Sequence, residues 1–280
     1  MVTTVRPSVV HGEDTDIAWR GSGLGTQILV LSGRALRPVF LDPGRIFYSV
    51  LQPMVLLLLF SQVFSSIAET PAFPDNVSYV DFLVPAILFT TATTVATQAG
   101  VSMTSGLKNG VLARLRSMPV KPVSVLIARS IADLGRGAME LTVVLVLAAL
   151  VFGYDPAGGV LGSVAALLLA LATGWSLGWI FLAMATWLRG SENVQALSIL
   201  VMIVLQFASS AFVPVEALPG YIQAIAQVNP ISYGITGARD LALGNSGGSA
   251  VAITLLICAC VTVAGVSLAV RGFVRVGRRA

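Results

Sequence analysis

Four charged residues at helical spacing, Arg129, Asp133, Arg136 and Glu140, are the first candidates for chemistry in this sequence. At about 100° per residue they share a narrow stripe of one helix face, and each arginine has an acid four residues later at ion-pair spacing. Ionisable groups in an apolar segment are costly and must face protein or water. Two interpretations remain open. One is a charge network that couples cytoplasmic events to the helix bundle, or carries protons; the other, which we favour, is a structural ion-pair ladder.

Polar side chains form two further stripes in apolar segments. One stripe contains Thr90, Thr94, Thr97 and Gln98, and the other contains Gln195, Ser198, Gln206, Ser209 and Ser210. Such faces turn toward other helices or toward a pathway. A threonine can satisfy its own hydroxyl on a preceding carbonyl, so the glutamines of the second stripe are the stronger signal. Lining of a pathway and helix packing both fit this pattern.

A basic amphipathic segment, 106–118, separates two of the apolar runs. Its apolar residues recur at helical spacing, basic residues occupy the remaining positions, and Pro119 ends the pattern. The candidate contact residues are Leu107, Lys108, Val111, Arg114, Leu115 and Arg116. The segment could dock into a groove on a cytoplasmic partner, or its charges could hold it against lipid headgroups.

Composition identifies the environment of these residues as a membrane. Only 11% of the residues are charged and the mean hydropathy is +0.88, whereas a soluble domain carries about 25% charged residues. The net charge of +4 does not indicate a nucleic-acid partner, because the basic residues lie between the apolar runs and at the chain ends.

Several kinds of chemistry are excluded by residue type. The single histidine, His11, lies in the N-terminal tail, which excludes histidine-based metal sites and histidine-assisted nucleophiles within the membrane. Cys258 and Cys260 are two residues apart and do not face each other on a helix. The sequence contains no G-x-x-x-x-G-K-[ST] motif for ATP phosphates. We therefore expect no catalytic residue, metal or cofactor in this chain.

The elements that position these residues are those of an all-α polytopic membrane protein. After a tail at 1–22, we predict one membrane domain over 23–280 that begins with an amphipathic interfacial helix at 24–40. Six spans are predicted at 46–68, 79–103, 123–152, 160–188, 195–213 and 250–270. In the fourth span Gly174 and Gly178 form a G-x-x-x-G pair suited to close helix packing. The distribution of Lys and Arg predicts that both termini are cytoplasmic.

The stretch 214–243 cannot be one straight span, because Pro214, Pro219 and Pro230 interrupt it. Broken backbone at membrane depth must be covered by protein or line a wet cavity. We predict short helices at 217–228 and 230–243 that form a re-entrant element on the extracellular side.

Two passages resemble a known family, the membrane permeases of type 2 ATP-binding-cassette (ABC) exporters, particularly the daunorubicin-resistance-like branch of bacteria. AFVPVEALPGYIQAIAQVNPISYGITGARDL resembles the family signature between spans five and six, and GVLARLRSMPVKPVSVLIAR is similar to its cytoplasmic coupling helix. The signature positions are Pro214, Glu216, Pro219, Asn229, Pro230, Tyr233 and Arg239. The resemblance extends over nearly the whole chain.

The resemblance implies that transport across the membrane and ATP hydrolysis belong to different subunits. The 106–118 helix would sit on a separate ABC ATPase, present in two copies, which would hold ATP and Mg²⁺. The 214–243 hairpin would roof a cavity between this chain and a second permease, either another copy or a paralogue, in the bacterial plasma membrane. The second and fifth spans would face that cavity. The substrate exported would be a hydrophobic or amphipathic drug, antibiotic or envelope lipid.

Two rival functions are weighed against this expectation. A proton-coupled secondary transporter needs an acid in its pathway, for which Glu140 is the candidate, but such transporters often have an internal repeat that this sequence lacks. A membrane enzyme is poorly supported, because no histidine or paired-carboxylate cluster lies at membrane depth. A non-transporting assembly factor would tolerate bulky substitutions at Gln206 and Ser209, whereas a transport pathway would not.

Overall fold

A computed structural model describes residues 23–41, 43–63, 77–108, 122–188, 191–207, 209, 211, 220–245 and 247–279. Within these ranges the chain forms nine helices and no strand. They are α1 (Leu24–Leu41), α2 (Pro43–Val63), α3 (Tyr79–Lys108), α4 (Pro122–Phe152), α5 (Gly159–Trp187), α6 (Ser191–Phe207), α7 (Gly220–Val228), α8 (Pro230–Ala242) and α9 (Gly248–Arg279). The predicted tail 1–22, residues 109–118 of the predicted coupling helix, and residues 212–219 lie outside the described residues.

In the part of the chain that the structure describes, five helices are long and apolar enough to cross a membrane: α2, α3, α4, α5 and α9. A span needs about 20 apolar residues to cross a hydrocarbon core of about 30 Å. The apolar part of α6, Glu192–Phe207, is shorter than that. The predicted fifth span at 195–213, and with it the total of six spans, therefore stays a prediction.

Close backbone contacts hold α5 at the centre of the bundle. Glycines let α5 approach three neighbours without an intervening side chain: Gly100 of α3 contacts Phe181, Gly162 contacts Leu241 of α8, and Gly265 of α9 contacts Trp179. A Cβ atom added at Gly100 would lie 2.7 Å from the Phe181 carbonyl oxygen. Small residues allow this approach between membrane helices, where packing rather than water exclusion drives association.

The spans differ in how much of their surface the bundle covers. Most of α3 is buried, with Leu83, Val84 and Ile87 fully enclosed, whereas α2 and α9 expose most of their apolar side chains. Apolar surface on a membrane helix can face lipid tails or another protein at little cost. The position of α3 in the interior brings the polar residues that it carries into contact with several helices at once.

The N-terminal helix α1 lies along the first half of α4. The Ser124 hydroxyl donates to the Gln27 side-chain oxygen, and the Leu36 side chain packs against Gly135. Because later residues of α1 meet later residues of α4, the two helices run in the same direction. The helix predicted over 24–40 corresponds to α1, and the neighbour of α1 in the bundle is α4.

Several predicted boundaries differ from those in the structure, including the start of α2 at Pro43 and the end of α9 at Arg279. The helix α6 ends at Phe207, six residues before the predicted end of the fifth span, because the Ser209 hydroxyl donates to the Gln206 carbonyl and accepts from the Ala211 amide. Such local bonds compete with helix continuation. The helix α3 continues to Lys108 and includes the first three residues of the predicted coupling helix.

We expect the two glycines of the G-x-x-x-G pair to respond differently to alanine. A Cβ at Gly174 would lie 2.8 Å from the Ala92 carbonyl oxygen of α3, whereas one at Gly178 would have no neighbour within 4 Å. Gly174→Ala should destabilise the protein by about 1–3 kcal/mol through overpacking.

Gly178→Ala is the matched control in the same helix. It should be neutral or stabilise the protein by up to about 1 kcal/mol, because alanine has the higher helix propensity. Thermal unfolding of the purified variants in one detergent measures both effects. Equal stability of the two variants would contradict the close α3–α5 contact.

Candidate functional site

A buried arginine near the end of α8 joins three parts of the chain. The Arg239 Nε atom donates to the Phe82 carbonyl of α3 at 2.9 Å, and one Nη atom donates to the Ala211 carbonyl beyond α6 at 2.8 Å. Its guanidinium carbon also lies 3.5 Å from the centroid of the Phe82 ring. This single side chain therefore fixes α8 against the start of α3 and the segment that follows α6.

The electrostatics of Arg239 fit a structural cation. Burial lowers its pKa to about 9, so the guanidinium still carries its charge at neutral pH. A buried charge is costly unless hydrogen bonds and nearby electron density compensate it. The two carbonyls and the ring of Phe82 provide that compensation.

Asn229 completes the same junction from the start of α8. Its side-chain oxygen accepts from the Ile231 amide at 3.0 Å, which caps α8, and Pro230 occupies the first turn. Its side-chain nitrogen donates to the Leu205 carbonyl in the last turn of α6 at 2.6 Å. Of the other signature residues, Tyr233 is half-buried on α8, whereas Pro214, Glu216 and Pro219 lie outside the described residues.

A buried polar contact connects α6 to α3 in the interior. The Gln206 side-chain nitrogen donates to the Thr90 hydroxyl at 2.7 Å, and Thr90 in turn donates to the Ala86 carbonyl. Thr94 and Thr97 likewise donate to carbonyls of their own helix. The structure therefore brings together one member of each predicted polar stripe.

The remaining members of the stripes are not gathered at one place. Gln195 is exposed, Ser198 is buried, and Gln98 accepts a hydrogen bond from Arg136. Ser210 lies outside the described residues. Gln98 thus belongs with the charges of α4 rather than with a surface shared by α3 and α6.

The four charges of α4 form two ion pairs within that helix and bind α3. Arg129 pairs with Asp133 at 3.1 Å and also donates to the Ser102 hydroxyl. Arg136 donates to the Gln98 side-chain oxygen at 2.6 Å and to the Val95 carbonyl at 3.3 Å. Its Nε atom lies 3.8 Å from a carboxylate oxygen of Glu140. Both arginines therefore connect α4 to α3.

A polar recess lies beside this ladder, between α2, α3 and α4. Its volume is about 10 Å³, and it is lined by Ser49, Gln52, Pro53, Leu56, Thr90, Thr91, Thr94 and Glu140. We call this space, together with the residues that line it, the polar recess. Ser49 and Gln52 were not among the predicted site residues, although a glutamine inside the apolar run LQPMVLLLLF is an available signal.

The predicted ATPase-coupling residues add no site within the described residues. Val111, Arg114, Leu115 and Arg116 lie outside them, and Leu107 and Lys108 form the end of α3. The described residues contain no group of three His, Cys, Asp or Glu side chains that could hold a metal ion.

Apolar helices long enough to span a membrane, joined by buried polar contacts, define a polytopic helical membrane protein. The profile of the ABC-2 type transporter family matches residues 26–243, and the chain belongs to that family. Its members are membrane transport subunits that work with an ABC ATPase partner.

Two relatives are similar over most of their length. The daunorubicin resistance ABC transporter permease protein DrrB1 of Streptomyces coeruleorubidus is 31% identical over 218 residues, which cover 78% of this chain and 75% of the relative. The probable doxorubicin resistance ABC transporter permease protein DrrC of Mycobacterium tuberculosis (strain CDC 1551 / Oshkosh) is 28% identical over 208 residues, or 72% of each chain.

We expect Arg239→Lys to loosen the junction of α3, α6 and α8. Lysine keeps the charge but cannot reach two carbonyls with a planar fork. The loss of one charged hydrogen bond, about 1.5–3 kcal/mol, should increase amide exchange about 10-fold to 100-fold in peptides that cover 79–86 and 205–211. Hydrogen–deuterium exchange with mass spectrometry measures this change.

Arg271→Lys is the control, because Arg271 is exposed on α9. It should leave exchange at 79–86 unchanged. If both variants exchanged like the parent protein, Arg239 would not be the residue that holds this junction.

Proposed function

We propose that this chain is the membrane-spanning permease of an ATP-driven exporter in a bacterial plasma membrane. It would move a hydrophobic or amphipathic substrate, such as a drug, an antibiotic or an envelope lipid, out of the cell. A separate ABC ATPase in two copies would hydrolyse the ATP, and a second permease copy or a paralogue would complete the pathway. Both termini would be cytoplasmic.

The observation that carries this proposal is the family match over 26–243, which includes both the basic segment and the passage around Arg239. The names of the relatives support the drug class of substrate, since DrrB1 and DrrC are named for resistance to daunorubicin and doxorubicin. The chain has no phosphate-binding motif of its own. In this proposal the energy of ATP hydrolysis enters through the partner ATPase.

The route of coupling follows from chain connectivity. The basic segment 106–118 begins at the end of α3 and precedes the start of α4. Arg129 and Arg136 connect those two helices side by side. Movement of the segment by an ATPase would thus displace α3 and α4 together rather than separately.

An ATPase can act on the bundle only through contacts that differ between two conformations. The Gln206–Thr90 bond between α6 and α3 is one such candidate, because a single hydrogen bond is easily exchanged for another partner. The Arg239 junction contains more bonds and would move as a unit. In this proposal the substrate leaves when α6 separates from α3 beneath the 214–243 element.

Purification of the complex in mild detergent tests the partner. Mass spectrometry should identify a co-purifying ABC ATPase, and inside-out membrane vesicles should accumulate an amphipathic fluorescent dye only with ATP. Uptake that follows a proton gradient without ATP would favour the proton-coupled alternative. Retention of ATP-dependent uptake by Glu140→Gln would exclude Glu140 as an obligatory proton carrier.

We expect the double substitution Arg114→Glu and Arg116→Glu to lower ATPase association at least tenfold while membrane insertion is preserved. Reversed charge on the predicted contact surface replaces attraction with repulsion across the interface. Quantitative co-purification and substrate-stimulated ATP hydrolysis measure the effect.

Arg6→Glu with Arg20→Glu is the matched control, since it makes the same charge change in the predicted cytoplasmic tail. This pair should bind the ATPase normally. Equal association of both double variants with the ATPase would remove the docking role from Arg114 and Arg116.

A further inference from the structure

Helices α5 and α9 reach the same boundary of the membrane side by side. The apolar part of α5 ends at Trp187, and that of α9 ends at Phe273. The two helices run in the same direction, because Cys258 of α9 contacts Thr173 of α5 and the Trp187 indole nitrogen donates to the Leu268 carbonyl at 3.1 Å. Their apolar parts therefore end at about the same depth, where lipid headgroups meet the protein.

Trp187 is held firmly at this boundary by the backbone of α9. A Cβ atom added at Gly272 would lie 2.7 Å from the Trp187 Nε1 atom, so the indole packs directly against the helix. The side chain nevertheless leaves 48% of its surface exposed. Tryptophan is enriched at membrane–water interfaces, where its apolar ring and polar nitrogen suit both environments. The ring thus offers a fixed, half-exposed face at headgroup depth.

Arg275 uses that face and keeps its hydrogen-bond donors available. Its guanidinium carbon lies 5.3 Å from the centroid of the Trp187 ring. A cation–π contact engages the flat face of the guanidinium, whereas its N–H donors point outward in the plane. Arg271 precedes Arg275 by one turn, about 6 Å along the axis, and both side chains are exposed. Two arginines therefore present donors to one patch of the surface.

This positive charge has no acidic partner nearby in sequence or in the described contacts. Neither α5 nor α9 contains an aspartate or a glutamate. Arg271 and Arg275 form no ion pair with another described residue. Cations near a helix C-terminus are favoured by the helix dipole, which accounts for basic residues there but not for the placement of Arg275 on Trp187. The patch therefore favours an anion as its ligand.

An exposed apolar track leads from the arginines toward the middle of the membrane. Ala264 and Leu268 are exposed, and at about 100° per residue they share a sector of about 60° with Arg271 and Arg275. Leu268 leaves 43% of its surface exposed within the apolar part of α9. A ligand that fits this face has an anionic group at headgroup depth and a hydrocarbon chain beneath it.

From this arrangement we propose that Arg271, Arg275 and Trp187 form a binding site for the phosphate of an anionic phospholipid. The two guanidiniums donate to the phosphate oxygens, and Trp187 acts as a positioning residue that orients Arg275. The acyl chain lies along Ala264 and Leu268. A lipid with net negative charge is preferred over a zwitterionic one, because the arginines repel a quaternary ammonium group. This site concerns a lipid that stays bound to the protein, and it does not depend on export.

Lipids with equal tails test the proposal on the full chain. Native mass spectrometry in a non-ionic detergent measures the affinity for the first bound molecule of dioctanoyl phosphatidylglycerol and of dioctanoyl phosphatidylcholine. The parent protein should bind phosphatidylglycerol at least fivefold more tightly, because each arginine near an anionic headgroup contributes about fivefold in affinity. Sodium phosphate at the same concentration as the lipid should not displace it.

Variants separate a built site from diffuse attraction. Arg275→Gln should lower the affinity for phosphatidylglycerol about fivefold to tenfold. Arg34→Gln is the matched control, because it makes the same charge change at an exposed position of α1 and should lower that affinity less than twofold. Trp187→Leu keeps every charge and should still weaken binding about threefold, whereas Trp187→Phe keeps an aromatic face and should restore most of it. A single gel-filtration peak and unchanged helical content establish that each variant is folded.

Several results would overturn the proposal. Equal affinity of the parent protein for both lipids would remove the site, and an equal loss in Arg275→Gln and Arg34→Gln would indicate diffuse attraction. Unchanged binding by a folded Trp187→Leu would remove the positioning role. Displacement of the lipid by inorganic phosphate would indicate a site for a free anion. If Arg275→Gln lost a co-purifying ATPase while lipid binding stayed the same, the arginines would belong to a protein interface instead.

Discussion

The structure depends on one constraint: polar groups buried among apolar helices must find partners within the protein, because lipid tails offer none. Threonines of α3 satisfy themselves on the preceding turn, which leaves their oxygens able to accept a second bond, as Thr90 does from Gln206. The arginines of α4 reach Ser102 and Gln98 on α3. The bonds from Gln206, Arg129 and Arg136 therefore hold α6 and α4 in position against α3.

Two kinds of helix contact coexist in the bundle and have different mechanical properties. Contacts of α5 with α3, α8 and α9 are made by glycine against backbone, and they leave no room for rearrangement without loss of packing. Contacts of α4 and α6 with α3 include hydrogen bonds of long side chains, which can exchange partners. The glycine contacts therefore resist relative movement of α3, α5, α8 and α9.

The positions of the helices could be predicted from the sequence more fully than the contacts between them. Apolar run lengths and prolines indicated helices close to α2, α3, α4, α5 and α8, and the spacing of Arg129, Asp133, Arg136 and Glu140 indicated pairing at i and i+4. Helical periodicity identifies which residues share a face but not which helix lies opposite, so Gln98 and Ser102 could not be assigned to the arginines. The early end of α6 depends on Ser209 and on Asn229, which is 24 residues from its partner Leu205. The polar recess forms where three helices meet, and the sequence of one helix does not indicate which other helices lie beside it.

The bond between Arg239 and Phe82 connects residues 157 positions apart. During synthesis, α3 is made and inserted long before α8 exists, so the first half of the chain must remain in the membrane with this edge of α3 uncovered. Non-local contacts of this kind form late and delay folding. The ribosome must therefore complete most of the protein before its junction of α3, α6 and α8 can close. A chain truncated before α8 would present that unfinished edge to the quality-control proteases of the membrane.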